Sequence, residues 1–112
     1  MSTKNLYKGT IETFIYQLLQ ENEKMYGYEI SKKIKDITQG NLNISESKLY
    51  PALHKLEASG HLTTEIVNIG KRVRKYYSLT KDGKKEAKIM LSELTNYIDI
   101  MKSLLNPKLS TI

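Results

Sequence analysis

The sequence contains no cysteine, which excludes disulfide bonds and thiolate chemistry. No apolar run approaches the ~18–20 residues that a membrane-spanning helix requires, and Met1 to Lys8 lack the apolar segment of a secretory signal. We therefore expect a cytoplasmic protein that does not interact with membranes. A chain of 112 residues, 39% hydrophobic and 27% charged, is large enough to bury its own core and is typical of a globular domain.

Motifs for catalysis and for metal binding are also missing. There is no G-x-S-x-G, P-loop or H-E-x-x-H pattern, and Glu29, Glu46 and Glu57 stand among lysines on separate predicted helices. The histidines, His54 and His61, have no second ligand at metal-binding spacing. We therefore expect no enzymatic activity, no metal and no cofactor.

The positive charge of the chain is concentrated in one stretch. Residues 1–70 and 89–112 each carry equal numbers of cations and anions, so the whole net charge of +6 falls on residues 71–88. Its cations are Lys71, Arg72, Arg74, Lys75, Lys81, Lys84, Lys85 and Lys88, against Asp82 and Glu86. Tyr76 and Tyr77 follow directly after Lys75, the fourth of these cations. Because cations release the counterions condensed on a phosphate backbone and tyrosine hydroxyls bond phosphate oxygens, the pattern favours nucleic-acid binding.

Apolar periodicity predicts two helices near the start of the chain. The first runs from about Gly9 to Gln20 and the second from about Tyr26 to Thr38, with Gly40 as the left-handed residue that ends it. The residues expected to face the core are Ile11, Phe14, Ile15, Leu18 and Leu19 in the first helix and Ile30, Ile34 and Ile37 in the second.

A third helix is predicted from about Ile44 to Gly60. Asn43 is its expected N-cap, with Glu46 three positions later as in a capping box. Its inward stripe consists of Leu49, Leu53 and Leu56. Proline in a helix interior costs about 3 kcal/mol, so Pro51 requires either a local kink in the second turn or a helix that starts later.

A hairpin and a long helix complete the pattern. Residues 62–67 and 73–79 alternate as strands do, and residues 68–72 between them have turn chemistry, which predicts a β-hairpin with a basic tip. Thr80 is the expected cap of a final helix, which Asn106-Pro107 ends.

Three helices followed by a hairpin is the element order of a winged helix-turn-helix. We therefore expect a mainly α fold with a small β-hairpin, in which residues 1–80 form the winged helix-turn-helix, 81–106 a C-terminal dimerisation helix and 107–112 a tail. The third helix of such a fold enters the major groove of double-stranded DNA with its N-terminal residues at the base edges. The candidate DNA-binding residues of this reading helix are Ser45, Glu46, Ser47, Lys48, Tyr50 and His54. Those of the hairpin are Lys71, Arg72, Arg74, Lys75 and Tyr76. Tyr77 is left out because strand alternation points it towards the core.

The final helix predicts a homodimer. Its apolar residues follow the 3-4 spacing of a coiled-coil seam, widened to three in seven. At ~1.5 Å per residue, residues 81–105 span roughly 37 Å, more than one small domain can cover, so a second copy of the chain is the expected partner. The residues assigned to the dimer interface are Ala87, Met90, Leu91, Leu94, Tyr97, Ile98, Met101, Leu104 and Leu105.

Over residues 8–88 the chain resembles the PadR-like family of transcriptional regulators. The motifs that carry the resemblance are Gly9-Thr10, Tyr26-Gly27-Tyr28-Glu29-Ile30, Leu49-Tyr50-Pro51-Ala52-Leu53-His54-Lys55-Leu56-Glu57 with Gly60, and Arg74-Lys75-Tyr76-Tyr77-Ser78-Leu79-Thr80 with Gly83. The single helix that follows is similar to the short subgroup of this family, whose members dimerise through it.

The resemblance implies a homodimeric repressor that leaves its operator when a small-molecule effector binds. It also implies that Tyr50 contacts phosphate from the reading helix and that Arg72, Arg74 and Lys75 are the cations of the wing, as the hairpin is called in this fold. Some short members stack aromatic drugs on a tryptophan of the last helix. This sequence has no tryptophan, so the resemblance does not extend to a flat multidrug pocket.

Two alternative functions fit the same elements. A winged-helix module can pair with protein as a co-regulator without reading DNA, and a winged domain can bind RNA through exposed stacking aromatics. Neutralising about six phosphates gives a log–log salt slope of about −5, which separates DNA binding from protein pairing. Competition between double-stranded and single-stranded nucleic acid separates the RNA-binding alternative.

Overall fold

Four helices and three strands make up the described part of the chain, residues 11–106 of a computed structural model. In chain order they are α1 (Ile11–Glu21), β1 (Met25–Tyr26), α2 (Gly27–Ile37), α3 (Glu46–Ala58), β2 (Leu62–Ile69), β3 (Arg72–Leu79) and α4 (Lys81–Leu105). The mainly α fold with a hairpin before the last helix is confirmed. Gly9, Thr10 and the predicted tail 107–112 lie outside the described residues, and the domain boundary at residue 80 stays a prediction.

The core is filled by the apolar stripes of α1, α2 and α3 and by one face of the sheet. The residues predicted to face inward from α1 and α3 lie in this core or pack against it. In α2 the prediction holds for Ile30 and Ile34, which are buried. It is wrong for Ile37, which is the last residue of α2 and is 61% exposed, so the apolar face of α2 ends one turn earlier.

The C-terminus of α2 differs from the prediction by one residue. The amide of Gln39 donates to the carbonyl of Asp36 (3.2 Å), and the amide of Gly40 donates to the carbonyl of Lys35 (2.8 Å). These two hydrogen bonds form a Schellman motif, whose first left-handed position is held here by Gln39, with φ of +54°. Gly40 is the residue after it.

The reading helix α3 starts two residues later than predicted. Its N-cap is Ser45, so the capping box expected between Asn43 and Glu46 is wrong. Ile44 lies before the helix because its side chain is buried in the core, and its carbonyl accepts a hydrogen bond from Ser31 Oγ at 2.9 Å. Ser31 thereby attaches the start of α3 to α2.

The later start explains how α3 tolerates Pro51. An α-helical amide at this position would donate to the carbonyl of Ser47, four residues earlier. Ser47 lies in the exposed first turn, where water can bond its carbonyl. The proline therefore removes one hydrogen bond at the solvent-facing end of the helix and leaves the leucine stripe in place.

The sequence does not predict β1, because two residues are too few to show a strand alternation. Met25 pairs with Tyr77 and Tyr26 pairs with Tyr76, both antiparallel. The sheet order is therefore β1-β3-β2, with β3 in the centre. β1 thus attaches the connection between α1 and α2 to strand β3 of the hairpin.

The β2–β3 hairpin, called the wing from here on, is longer and tighter than predicted. Its pairing runs from Leu62 opposite Leu79 to Ile69 opposite Arg72, so only Gly70 and Lys71 form the turn. Gly70 has φ of +60°, whereas Lys71 is not among the residues with positive φ. Glycine at the first of two turn positions is the signature of a type II′ turn, whose twist matches that of the strands.

The end of α3 and the start of α4 are joined by backbone hydrogen bonds. A Schellman motif closes α3, with Gly60 donating to Glu57 (3.0 Å) and His61 donating to Leu56 (2.9 Å). The amide of Thr80 then donates to the carbonyl of His61 at 3.0 Å. Thr80 Oγ1 donates to the carbonyl of Gly60 (2.6 Å) and accepts from the amide of Gly83 (3.0 Å), so its predicted role as the cap of α4 is confirmed.

The side chain of His61 ties α1 to the same junction. Its Nδ1 lies 2.7 Å from the hydroxyl of Tyr16, a residue that is 1% exposed. Burial, with Glu86 and Glu12 nearby, raises the pKa of Tyr16 to about 12. The hydroxyl therefore keeps its proton at physiological pH and remains able to form this hydrogen bond.

Gly83 allows α4 to touch the junction directly. A Cβ at this position would lie 1.9 Å from the carbonyl oxygen of His61, which is a backbone atom. The glycine is therefore required by close approach. One turn later Ala87 is fully buried in the core, and Met90 and Leu91 pack against it.

Gly83→Ala should destabilise the fold, because the neighbouring atom is backbone and cannot rotate away. Overpacking of this kind costs about 1–3 kcal/mol, and we expect a loss at the upper end of that range in urea denaturation. Lys84→Ala, one residue along on the exposed side of the same turn, is the matched control and should leave stability unchanged or raise it by up to about 1 kcal/mol, because Lys84 stands three and four residues from Lys81 and Lys88. Equal stability of the two variants would contradict the close approach.

Candidate nucleic-acid interface

The first turn of α3 presents four polar side chains to solvent. Ser45, Glu46, Ser47 and Lys48 are all exposed. Ser45 makes no side-chain cap bond, and its hydroxyl lies 3.0 Å from that of Ser47. The four candidate base-reading residues are thus brought together at one end of the helix, while Leu49, directly after them, is fully buried and holds that end against the core.

Tyr50 lies where α3 meets the start of α2. Its side chain is half-buried, and a Cβ on Gly27 would stand 2.7 Å from the Tyr50 hydroxyl. The absence of a side chain at Gly27 therefore creates the space for this ring. His54, one turn further on, is exposed, with its ring centre 6.3 Å from that of Tyr50.

The outer face of the wing carries Arg72, Arg74 and Tyr76, since these alternate with the buried Tyr77 and Leu79. The guanidinium carbon of Arg74 lies 4.4 Å from the centre of the Tyr26 ring on β1. A cation stacked on an aromatic ring loses side-chain freedom, so Arg74 is held in place on this face.

Tyr76 lies in the same stack and is half-buried. Its ring meets the Tyr26 ring edge-on at 5.5 Å, and Lys24 Nζ stands 5.2 Å from its centre. Lys24 is itself bound to Glu65 on β2 at 2.9 Å. Tyr76 therefore offers less surface to a ligand than its position in the basic stretch predicted.

Lys75 does not belong with the other wing cations. It lies on the opposite face of β3, where its Nζ is 3.4 Å from Glu57 Oε1 and 5.4 Å from the centre of the Tyr77 ring. Burial raises the pKa of the Tyr77 hydroxyl, an effect that the charge on Lys75 partly opposes. Strand alternation turns the Lys75 side chain towards α3, so it lies apart from Arg72 and Arg74, and its contact with DNA stays a prediction.

The tip of the wing holds cations that no described carboxylate neutralises. Within residues 11–106 the ion pairs closer than 4 Å join Lys24 to Glu65, Lys55 to Glu12 and Lys75 to Glu57. Lys71 and Arg72 are exposed and Arg74 is half-exposed, and none of them takes part in such a pair.

Sequence reasoning missed Lys24, Tyr26 and Gly27 as parts of this surface. Tyr26 and Gly27 entered that reasoning only as parts of a family motif, as did Tyr28, a 56% exposed residue whose ring stacks on that of Tyr26 at 6.4 Å. The pairing of β1 with β3 brings these residues to the wing, and a two-residue strand leaves no periodic signal.

The residues assigned to a dimer interface divide along α4. Ala87 is buried inside its own chain and has no surface to offer a partner, so its assignment is corrected. Met90, Leu91, Leu94 and Met101 are half-buried, whereas Tyr97, Ile98, Leu104 and Leu105 are exposed. Beyond Leu91 the helix has no buried residue up to its end at Leu105. Its second half thus carries an apolar face that the described part of the chain leaves uncovered.

No helix within residues 11–106 is long and apolar enough to cross a membrane.

Comparison with known proteins identifies the family. A profile of the transcriptional regulator PadR-like family matches residues 15–89. A transcriptional regulator from Clostridium thermocellum is 30% identical, with 92% of this chain and 97% of that protein covered and a TM-score of 0.80. A PadR family transcriptional regulator from Eggerthella lenta is 29% identical over 91% of this chain and 87% of its own, with a TM-score of 0.78.

The PadR protein of Bacillus subtilis, whose structure was solved in complex with operator DNA, is also similar. It is 29% identical over 72% of this chain and 46% of its own length, with a TM-score of 0.65. The winged helix-turn-helix fold predicted from the element order is thereby confirmed. Because the family profile covers more than half of the sequence, the chain belongs to the PadR-like family of transcriptional regulators.

Proposed function

We propose that this protein is a sequence-specific, double-stranded-DNA-binding repressor that acts as a homodimer and leaves its operator when a small-molecule effector binds. The observation that carries the proposal is the wing tip. Lys71 and Arg72 are exposed there without a carboxylate partner in the described residues, and Arg74 is stacked behind them on Tyr26. Unneutralised, positioned cations at the end of a hairpin suit a phosphate backbone or a narrow minor groove.

The first turn of α3 supplies the proposed base readout. Short hydroxyl side chains let the helix axis approach the base edges, and serine can donate to or accept from any base. Lys48 can donate to the O6 and N7 acceptors of guanine in the major groove, and Glu46 can accept from the amino group of cytosine. The exposure of all these residues supports this role.

Tyr50 and Gly27 supply a proposed phosphate contact. The Tyr50 hydroxyl lies against the first residue of α2, and amides at a helix N-terminus carry a partial positive charge. A phosphate at this point would accept a hydrogen bond from the Tyr50 hydroxyl and face the N-terminus of α2. Such contacts fix the register of a protein on the duplex without reading its sequence.

A two-fold dimer through the second half of α4 completes the proposal. Tyr97, Ile98, Leu104 and Leu105 expose between 43% and 71% of their surface, which is unfavourable for apolar side chains in water. Covering them with the same helix of a second copy would give an isologous interface. The two reading helices could then enter major grooves one turn apart, at ~34–36 Å.

Related structures support DNA binding, and family membership supports repression with effector release. The Bacillus subtilis relative was solved with operator DNA, and its match covers 72% of this chain. Release by an effector rests on the resemblance to the family. A gel shift with the upstream region of the protein's own gene, repeated against a panel of small metabolites, tests it, and a complex that no metabolite dissociates counts against release.

A protein-interaction module is the alternative that one observation favours. Ile66 and Val73 are 59% and 66% exposed on the wing, and they are not needed to contact phosphates. A module of this kind would show no salt slope of about −5 on duplex DNA.

Replacing Arg72 and Arg74 with alanine should weaken binding to every duplex sequence. Each lost phosphate contact makes the log–log salt slope shallower by about 0.9. Fluorescence anisotropy at several salt concentrations measures both effects on the upstream duplex. Lys55→Ala is the matched control, since Lys55 is already paired with Glu12 at 3.0 Å. Unchanged affinity of the double variant at low salt would count against a DNA-contacting wing.

Tyr50→Phe should lower operator affinity about tenfold while stability changes by less than about 1 kcal/mol. The ring remains against Gly27, and only a hydrogen bond to a charged group is lost, which is about 1.5 kcal/mol. Tyr28→Phe, which removes the hydroxyl of an exposed tyrosine outside the proposed contacts, is the control and should retain the affinity of the native protein. Equal affinities of the two variants would remove Tyr50 from the interface.

Leu94→Asp or Met101→Asp should break the dimer, because a carboxylate buried at an apolar seam is strongly unfavourable. Sedimentation should show a monomer, and operator affinity should fall by more than tenfold because a single half-site binds weakly. Thr95→Asp, on an exposed part of the same helix, is the control and should stay dimeric. A native protein that sediments as a monomer would itself contradict the dimer.

A further inference from the structure

Half of the cations of the basic stretch lie outside the wing, on the first two turns of α4. They are Lys81, Lys84, Lys85 and Lys88, and all four are exposed. No carboxylate within residues 11–106 lies within 4 Å of any of their ammonium groups, because the ion pairs of this part of the chain involve other lysines. We call this set the lysine face.

The lysine face points away from both the core and the proposed dimer seam. At about 100° per residue, the four lysines fall within an arc of about 100°. The buried residues Gly83 and Ala87 lie about 110–150° from the centre of that arc, on the side where the apolar seam continues. Asp82 and Glu86 also fall outside the arc. The lysine face therefore stays accessible in a dimer built through α4.

Two electrostatic rules oppose this placement. Lysines in the first turn of a helix face the positive end of its dipole. The four lysines also form four like-charge pairs at spacings of three or four residues, each of which destabilises a helix by about 0.2–0.5 kcal/mol. Departures from such local rules concentrate at functional sites. A polyanion bound along the lysine face would be attracted both by the four lysines and by the positive end of the helix dipole, and would thereby offset both unfavourable interactions.

The neighbouring residues indicate which polyanion. Further along the same arc come Ser92, Thr95 and Asp99, and no apolar or aromatic side chain lies within it. The exposed Ile89 falls about 40° outside it. A membrane-binding helix needs such side chains beside its cations, whereas a phosphate backbone needs only charge and polar groups. The chemistry therefore fits nucleic acid.

The wing separates this face from the proposed operator contacts. Eight-residue strands at about 3.3 Å per residue place the base of the hairpin, where α4 starts, roughly 26 Å from the tip. Phosphates that meet the lysine face are thus not those that meet Lys71 and Arg72.

We propose that the lysine face binds the phosphate backbone of DNA that flanks the operator, so that the footprint extends beyond the base-reading contacts. This inference rests on the proposed DNA-binding function and adds a second contact surface to it. It assigns a role to the half of the cations of the basic stretch that lie outside the wing.

The test compares two duplexes. One is selected from random sequence by the native protein and trimmed to the last base pair that shows preference, and the other carries about one helical turn (~10.5 base pairs) more at each end. The native protein should bind the long duplex at least about tenfold more tightly, with a steeper salt slope by about 0.9 per added contact. A variant with Lys81→Gln, Lys84→Gln, Lys85→Gln and Lys88→Gln should lose this advantage and keep its affinity for the short duplex.

Two further measurements distinguish a loss of DNA contacts from a misfolded variant. Lys→Arg at the same four positions retains the charge and should retain the preference for the long duplex. The glutamine variant should melt a few degrees higher than the native protein, because the like-charge repulsion is gone. A native protein that binds both duplexes equally, or a glutamine variant that keeps the length effect, would overturn the inference. Binding to neither duplex would overturn the proposed function itself.

Discussion

The contact between the backbone of His61 and the first turn of α4 is the constraint on which the arrangement depends. Thr80 donates to the carbonyl of His61, and Gly83 leaves no side chain between α4 and that carbonyl. Because His61 also closes the Schellman motif of α3, one residue fixes the end of the reading helix against the start of the last helix. Backbone contacts of this kind have little freedom to relax. The angle between the two helices is therefore set within the chain, before any partner binds.

The proposed functional residues are attached to this frame by buried neighbours. The leucine stripe of α3 leaves its first turn exposed, and β1 brings Tyr26 under Arg74 so that the wing cation is held by an aromatic ring. The positive charge is divided between two surfaces, the wing tip and the lysine face, about one hairpin length apart. Such a division suits a ligand that is long and uniformly charged better than a compact anion, since a duplex offers phosphates along its whole length.

The sequence predicts the helices, the hairpin and the leucine stripe because their periodicities repeat over several turns. It does not predict features decided by one or two residues: the burial of Ile44, which moves the start of α3, and the pairing of Tyr26 in β1. Lys75 and Ala87 show a second limit. The sequence pattern places Lys75 in a basic stretch and Ala87 in an apolar seam. Only the fold shows that Lys75 pairs with Glu57 and that Ala87 is buried in the core of its own chain. The DNA-binding and dimer roles of the remaining residues stay predictions.

The central claim is that two copies of the chain place two reading helices and two wings on one duplex. Hydroxyl-radical footprinting of the native protein on its upstream region tests this most directly, because the radical reports which sugars of the backbone are covered. We expect two protected regions related by two-fold symmetry, with centres about 10–10.5 base pairs, or a multiple of that, apart. A single asymmetric protected region, or uniform cleavage at protein concentrations that saturate the gel shift, would contradict it.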